Sequence, residues 1–158
     1  MHSVADLILE AVENSSEAGA ETIKALAEEK DGVWRVEILD DGKWTLEEDP
    51  FSVGATTKGR GHGRGLCIIK ERTGGRCSLT RGEGYTRLCF EADDDGSMDD
   101  SFHALLPVLL RKENVWIRIG SSGLDVSFTS DDLRREGAFP SDARGIRAFR
   151  AYLEGLGL

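Results

Sequence analysis

The chain contains few cysteines, and their spacing does not indicate a common metal site or a disulfide framework. The three cysteines, Cys67, Cys77 and Cys89, are an odd number and lack the close pairs of a zinc site or a secreted disulfide framework. This spacing excludes a small fold stabilised by a zinc ion and a small fold stabilised by disulfides. We expect three reduced, mostly buried thiols, as in cytoplasmic proteins.

Long apolar runs are also missing. The longest uncharged stretch near the carboxyl end, residues 101–110, is far shorter than the roughly 20 residues that a membrane-spanning helix needs. The amino-terminal segment carries Asp6 and Glu10 and no apolar run, so it is not typical of a signal peptide. We therefore expect a soluble, cytoplasmic protein with no membrane partner.

Positive charge is outweighed by negative charge. The 158 residues hold 29 acidic and 20 basic side chains, for a net charge of −9, which makes nucleic acid and anionic membranes unlikely partners. Basic residues gather in one cluster, which consists of Lys58, Arg60, Arg64, Lys70, Arg72 and Arg76. Such a cluster suits a polyphosphate as well as a nucleic acid backbone, and a solvated surface is the alternative. The length and the 39% hydrophobic share indicate one globular domain, with room for an appendage.

Hydrophobic periodicity predicts alternating helices and hairpins in the first part of the chain. Apolar residues at helical spacing predict a helix over residues 3–18, which Ser3 begins and Gly19 ends. The pair Asp31-Gly32 favours a tight hairpin turn between two strands, although residues 21–29 are helical by composition. The predicted elements that follow are a long loop over residues 40–65, a helix over residues 66–72 and a hairpin over residues 76–92.

The second part of the chain is smaller. Residues 93–100 include five aspartates, a solvated composition that predicts an acidic linker with no means of packing. It separates a predicted first domain, residues 1–92, from an extension of unknown role, residues 101–158. A helix, a hairpin and a terminal helix are predicted in this extension. Because it is small for an independent core, we expect it to dock on the first part or on a partner.

Three groups of residues carry candidate chemistry, and the first is on the first helix. Glu10 and Asn14 lie four residues apart, so both project from one side of that helix. A carboxylate there can orient or deprotonate a water molecule, and an amide oxygen beside it can ligate Mg²⁺. An ordinary solvated helix edge is the alternative.

The second group, Asp40-Asp41-Gly42, comes where a predicted strand ends. Asp40 can accept a hydrogen bond from an exocyclic amine, while Gly42 lets the backbone approach a flat ring. A simple strand-ending turn is the alternative.

The third group is a glycine-rich stretch that leads into a predicted helix, over residues 56–66. Glycine at every second position exposes a run of backbone amides, and these amides and the positive end of the helix both favour phosphate. Lys58 adds a charge there. No Lys-Ser or Lys-Thr pair follows the last glycine, so the stretch is not a P-loop. A flexible loop is the alternative.

These residues resemble the GHKL (Bergerat-fold) ATPases in their order and spacing over about residues 3–92. Glu10 to Asn14, with the Glu-Ala-Gly-Ala that ends at Ala20, looks like the N box of MutL-type ATPases. Asp40-Asp41-Gly42 resembles the adenine box. Residues 51–70 are similar to the lid and Gly-x-Gly-x-Gly-Leu box of sensor histidine kinases.

The resemblance implies an α+β fold, a two-layer α/β sandwich of Bergerat type, with ATP and Mg²⁺ as cofactors. It implies Glu10 as the general base, Asn14 as the Mg²⁺ ligand, and Asp40 with Gly42 at the adenine. The implied phosphate-binding residues are Thr57, Lys58, Gly61, His62, Gly63, Arg64, Gly65 and Leu66.

The chain departs from the family pattern at two positions. Trp44 replaces the second glycine of the adenine box, which would narrow the nucleotide pocket, and Arg64 replaces the usual apolar residue of the glycine box. Glu10 is typical of the hydrolysing branch, so the resemblance favours slow ATP hydrolysis coupled to lid closure and sensed by an unidentified protein partner. A kinase module acting in trans and a non-catalytic nucleotide-dependent switch stay open as alternatives.

Overall fold

The computed structural model describes residues 2–42, 64–109, 114–121 and 124–158. These residues form five helices and six strands. In chain order the elements are α1 (Val4–Glu17), β1 (Thr22–Lys30), β2 (Val33–Asp40), α2 (Arg64–Arg72), β3 (Cys77–Gly82), β4 (Tyr85–Asp93), α3 (Ser101–Leu109), β5 (Asn114–Ser121), β6 (Leu124–Thr129), α4 (Ser130–Arg135) and α5 (Ala143–Gly155).

Local sequence signals place the boundaries of α1 and of the first hairpin. The Ser3 hydroxyl accepts a hydrogen bond from the Asp6 amide, and the Asp6 carboxylate accepts one from the Ser3 amide, which is a capping box. Gly19 follows the last turn with a φ of 81°. Asp31 and Gly32 have φ values of 52° and 78°, as a tight hairpin turn requires. The predicted first helix and first hairpin are therefore confirmed.

All six strands belong to one sheet in the order β3-β4-β2-β1-β5-β6. Strands β1 and β5 pair in parallel, and every other neighbouring pair is antiparallel. Helix α1 packs against β1, β2 and β4, and α4 packs against β5 and β6. The mixed sheet and its helices confirm the predicted α+β class.

The strands bury one face and expose the other. On the buried face, alternate residues of the strands contribute to one hydrophobic core, which includes Ile23, Val36, Phe90, Ile117 and Phe128. On the opposite face, charged side chains pair across strands, as Arg35 does with Glu91 and Arg87 with Glu37. This alternation is the usual pattern of a sheet with one solvated side.

The last part of the chain continues the same sheet and the same core. Strand β5 pairs with β1 from Asn114 opposite Thr22 onward, and Phe149 of α5 is completely buried. Helix α4 lies outside the elements predicted from the sequence, which anticipated a single terminal helix. The predicted domain boundaries themselves stay a prediction, but the two parts of the chain share one sheet.

The acidic segment over residues 93–100 does pack, so the prediction that it has no means of packing is wrong. The Asp95 carboxylate accepts a hydrogen bond from the Val4 amide at 3.0 Å, and the Ser97 hydroxyl accepts one from the Ala5 amide at 3.2 Å. Met98 is 8% exposed and belongs to the core. Asp95 and Ser97 therefore accept hydrogen bonds from amides at the start of α1, which have no partner within the helix.

Two further expectations concern cysteines and membranes. Cys67, Cys77 and Cys89 form no disulfide and are half-buried, which is less buried than the sequence predicted. Within the described residues, no helix combines the length and the apolar character that crossing a membrane requires.

Candidate functional site

The carboxyl half of α1 lies over the end of β2. Ser15 is 2% exposed, and its hydroxyl donates a hydrogen bond to Oδ2 of Asp40 at 2.6 Å. The same hydroxyl lies 3.3 Å from the Ala11 carbonyl, and since a hydroxyl has one hydrogen we assign it to the shorter contact. Asn14 is the neighbour of Ser15 in the chain. The structure therefore brings the residue that follows Asn14 into contact with the second predicted group.

Asp40 is a buried carboxylate at the last position of β2. It is 6% exposed and lies on the helix-covered face, between Ile23 of β1 and Thr86 of β4. Its Oδ1 accepts a hydrogen bond from the Gly42 amide at 2.8 Å. This contact forms an Asx turn, in which an aspartate side chain binds the backbone amide two residues later. The two hydrogen bonds hold the Asp40 carboxylate in one orientation at the end of β2.

Gly42 allows two parts of the protein to approach closely. A Cβ atom at this position would lie 3.0 Å from the Cβ and carbonyl oxygen of Ala18 and 3.0 Å from Oδ1 of Asp40. The sequence predicted that Gly42 gives a flat ligand access to the backbone. That prediction stays untested; what the structure describes is the close approach of Gly42 to the end of α1.

Thr86 is a site residue that the sequence analysis did not single out. It is 3% exposed and lies directly opposite Asp40 in the register of β2 and β4, so both side chains project from the same face of the sheet. Apolar residues, including Leu88 and Phe90, occupy the other buried positions of β4. Thr86 is the one polar residue among the buried positions of β4, and this break in the apolar pattern is the signal by which it could have been found.

Asn14 has a buried polar atom that fits a ligand. Its Nδ2 has no hydrogen-bond partner among the described residues, and leaving such a donor unsatisfied costs about 1–3 kcal/mol. The oxygen and nitrogen of an amide exchange positions by rotation of the group. Asn14 can therefore offer either a donor or an oxygen ligand at this place.

A cation at Asn14 would depend on few protein ligands. In the described part of the chain, no group of three or more His, Cys, Asp or Glu side chains is arranged to hold a metal ion. Mg²⁺ is commonly bound through one or two protein oxygens together with substrate phosphates and water. At this place the described residues therefore offer Mg²⁺ one candidate protein oxygen, that of Asn14.

Glu10 lies one helical turn before Asn14 and is half-buried. Burial raises the pKa of its carboxyl group, and the nearby charge of Glu13 raises it further, while His2 acts in the opposite direction. A raised pKa makes the carboxylate a better proton acceptor than a fully solvated one. The electrostatics of Glu10 therefore suit the general-base role that the sequence predicted.

Helix α2 runs antiparallel to α1. At its carboxyl end, Arg72 donates a hydrogen bond from Nε to the His2 carbonyl at 2.8 Å, so this end lies at the start of α1. The two helices pack side by side. Nine helical residues span roughly 13 Å, so the amino terminus of α2 lies away from the start of α1.

The third predicted group is described only where it enters α2. Arg64 and Gly65 form the first turn of α2, two residues earlier than predicted, and Leu66 is 3% exposed in the core. The other predicted phosphate-binding residues lie outside the described residues, as does Trp44. They are Thr57, Lys58, Gly61, His62 and Gly63.

No protein-family model matches this sequence, and no curated protein matches it significantly. The resemblance to GHKL ATPases therefore rests on the sequence motifs alone.

Proposed function

We propose that this chain binds Mg²⁺-ATP in a Bergerat-type sandwich and hydrolyses it slowly. One observation carries the proposal. The Asp40 carboxylate is buried and held between Ser15 of α1 and the Gly42 amide. A carboxylate fixed in one orientation at a strand end suits recognition of an exocyclic amine such as that of adenine.

The order of elements also supports the proposal. Strands β2 and β3 run in the same direction with β4 between them, and α2 is the helix on the connection from β2 to β3. The glycine-rich stretch leads into the amino terminus of α2, whose first amides have no partner within the helix itself. Backbone amides and the helix dipole favour phosphate at such a position.

Each residue has a defined part in the proposed reaction. Asp40 accepts a hydrogen bond from the adenine amine, which discriminates against guanine because guanine lacks an amine at that edge. Asn14 supplies an oxygen ligand to Mg²⁺, and the ion when bound offsets negative charge on the phosphates. Glu10 accepts a proton from the water that attacks the terminal phosphate, and orthophosphate and ADP leave. The raised pKa of Glu10 favours this proton transfer.

Measurements of ATP binding and phosphate release, with and without Mg²⁺, test the proposal. Glu10→Ala should bind ATP with an affinity close to that of the wild type, because Glu10 acts on water rather than on the nucleotide. Its turnover should fall by about 10²- to 10⁴-fold, the usual contribution of a general base. Glu154→Ala is the matched control, since Glu154 is an exposed glutamate on the distant helix α5.

The results separate the proposed reaction from its alternatives. A wild-type chain that fails to bind ATP would refute the proposal at its base. Equal turnover in Glu10→Ala and in the wild type would remove the hydrolase mechanism. Binding without phosphate release would indicate a nucleotide switch, and transfer of labelled phosphate to an added protein would indicate a kinase.

A further inference from the structure

Asp41 makes a second connection between the end of β2 and the start of β1. Its side chain is exposed, yet Oδ1 accepts hydrogen bonds from two consecutive backbone amides, those of Glu21 at 2.8 Å and Thr22 at 3.1 Å. Hydrogen bonds to an ionised carboxylate are about twice as strong as neutral ones. A single exposed side chain thus ties the residues that follow α1 to the residues that follow β2.

These hydrogen bonds lie just beyond the regular ladder of the two strands. The last paired residues of β1 and β2 are Ile23 and Asp40. The strand pairing therefore does not depend on Asp41. What Asp41 determines is how the chain beyond Asp40 is placed against the segment that follows α1.

That placement bears directly on the proposed nucleotide site. The segment after α1 is anchored to the helix by the Ala20 amide, which donates to the Ser15 carbonyl at 3.1 Å. The segment after β2 includes Gly42, which approaches Ala18 so closely that no Cβ would fit without displacement. Asp41 joins these two segments and so holds together the two sides of the site.

We propose that Asp41 is a positioning residue of the proposed ATP site. It keeps Asp40 and Gly42 in register with the end of α1, so that the adenine-binding surface is formed before the nucleotide arrives. Preorganisation of this kind raises affinity because binding need not order the site. The proposal rests on the proposed function, and it adds a residue that does not itself touch the nucleotide.

Two substitutions at position 41 distinguish positioning from a general structural role. Asp41→Ala removes the acceptor, while Asp41→Asn keeps a side-chain oxygen in the same place. We expect Asp41→Ala to raise the Kd and KM for ATP about tenfold, the equivalent of one hydrogen bond to a charged group, with kcat changed by less than about twofold. Asp41→Asn should restore most of the affinity. Asp99→Ala, at an exposed aspartate outside the site, is the control.

A second measurement examines the contact without any nucleotide. Amide hydrogen exchange at Glu21 and Thr22 should be faster in Asp41→Ala than in the wild type, because both amides lose their acceptor. Unchanged exchange would overturn the proposal, and so would an unfolded Asp41→Ala chain, which would show that Asp41 is needed for the fold itself.

The failure of this proposal is distinguishable from the failure of the proposed function. If the wild type does not bind ATP, the proposed function fails. If the wild type binds ATP and Asp41→Ala binds it equally well, only the role of Asp41 fails. The role of Asp41 also fails if Asp41→Asn binds ATP as weakly as Asp41→Ala, because the retained side-chain oxygen should restore binding.

Discussion

Removal of the Ser15 hydroxyl is the most direct perturbation of the candidate site. Ser15→Ala deletes the 2.6 Å hydrogen bond to Oδ2 of Asp40 and leaves the rest of α1 intact. A hydrogen bond to a charged group contributes about 1.5–3 kcal/mol, and its loss leaves the buried Asp40 oxygen short of one donor. Alanine has a higher helix propensity than serine, which returns about 0.5 kcal/mol. We therefore expect the free energy of unfolding to fall by about 1–2.5 kcal/mol.

Urea unfolding followed by circular dichroism measures this loss. For a chain of this size, 1 kcal/mol corresponds to about 2–4 °C in Tm, so the thermal midpoint should fall by about 2–10 °C. Ser127→Ala is a matched control, because Ser127 is an exposed serine on β6. Its stability should stay within about 0.5 kcal/mol of the wild type, as is usual for surface substitutions.

A double-mutant cycle decides whether the loss belongs to the Ser15–Asp40 pair. If it does, Ser15→Ala should cost much less in an Asp40→Asn background than in the wild type, with a coupling energy of about 1 kcal/mol or more. Additive effects would mean that the two side chains do not interact. A Ser15→Ala chain as stable as the wild type would refute the reasoning, since it would show that the buried carboxylate does not need this donor.

Two further predictions follow from contacts on either side of the site. Gly42→Ala places a Cβ 3.0 Å from atoms of Ala18 and Asp40, so we expect overpacking to lower the free energy of unfolding by about 1–3 kcal/mol and to weaken ATP binding. Urea unfolding measures the first effect and a nucleotide titration the second. A variant with unchanged stability and affinity would show that the two segments are not in contact. The second prediction concerns acid. Burial alone would raise the pKa of Asp95, but the hydrogen bonds that it accepts and the charge of Arg72 more than offset this, so the pKa lies below the ordinary value. Because the folded pKa is lowered, the stability that Asp95 contributes is complete above its unfolded pKa of about 4 and is lost as the pH falls through the folded pKa. Urea midpoints between about pH 5 and pH 2 should therefore fall less steeply in Asp95→Asn than in the wild type, and parallel curves would contradict the assignment.

The sequence by itself determined the local structure of most of the described chain. Short-range signals such as Ser3 before α1 and Asp31-Gly32 between β1 and β2 act over four residues or fewer, so they can be recognised without knowledge of the fold. The same applies to Glu10 and Asn14, whose shared side follows from helical spacing alone. Composition was misleading for residues 93–100, because the packing of this segment depends on contacts such as that of Asp95 with the Val4 amide, about 90 positions away.

Only the tertiary structure decided how these pieces form a candidate site. Thr86 is opposite Asp40 because β2 pairs with β4, and this pairing skips the intervening strand β3. The packing of α2 on α1, with Arg72 at the start of α1, likewise has no local signal. Hydrophobic patterning specifies which side of a strand or helix is buried, but the choice of neighbour depends on how all the buried faces pack into one core. Residues far apart in the sequence are therefore placed together by the packing of the whole chain, and the side chains that complete a site are visible only once that packing is known.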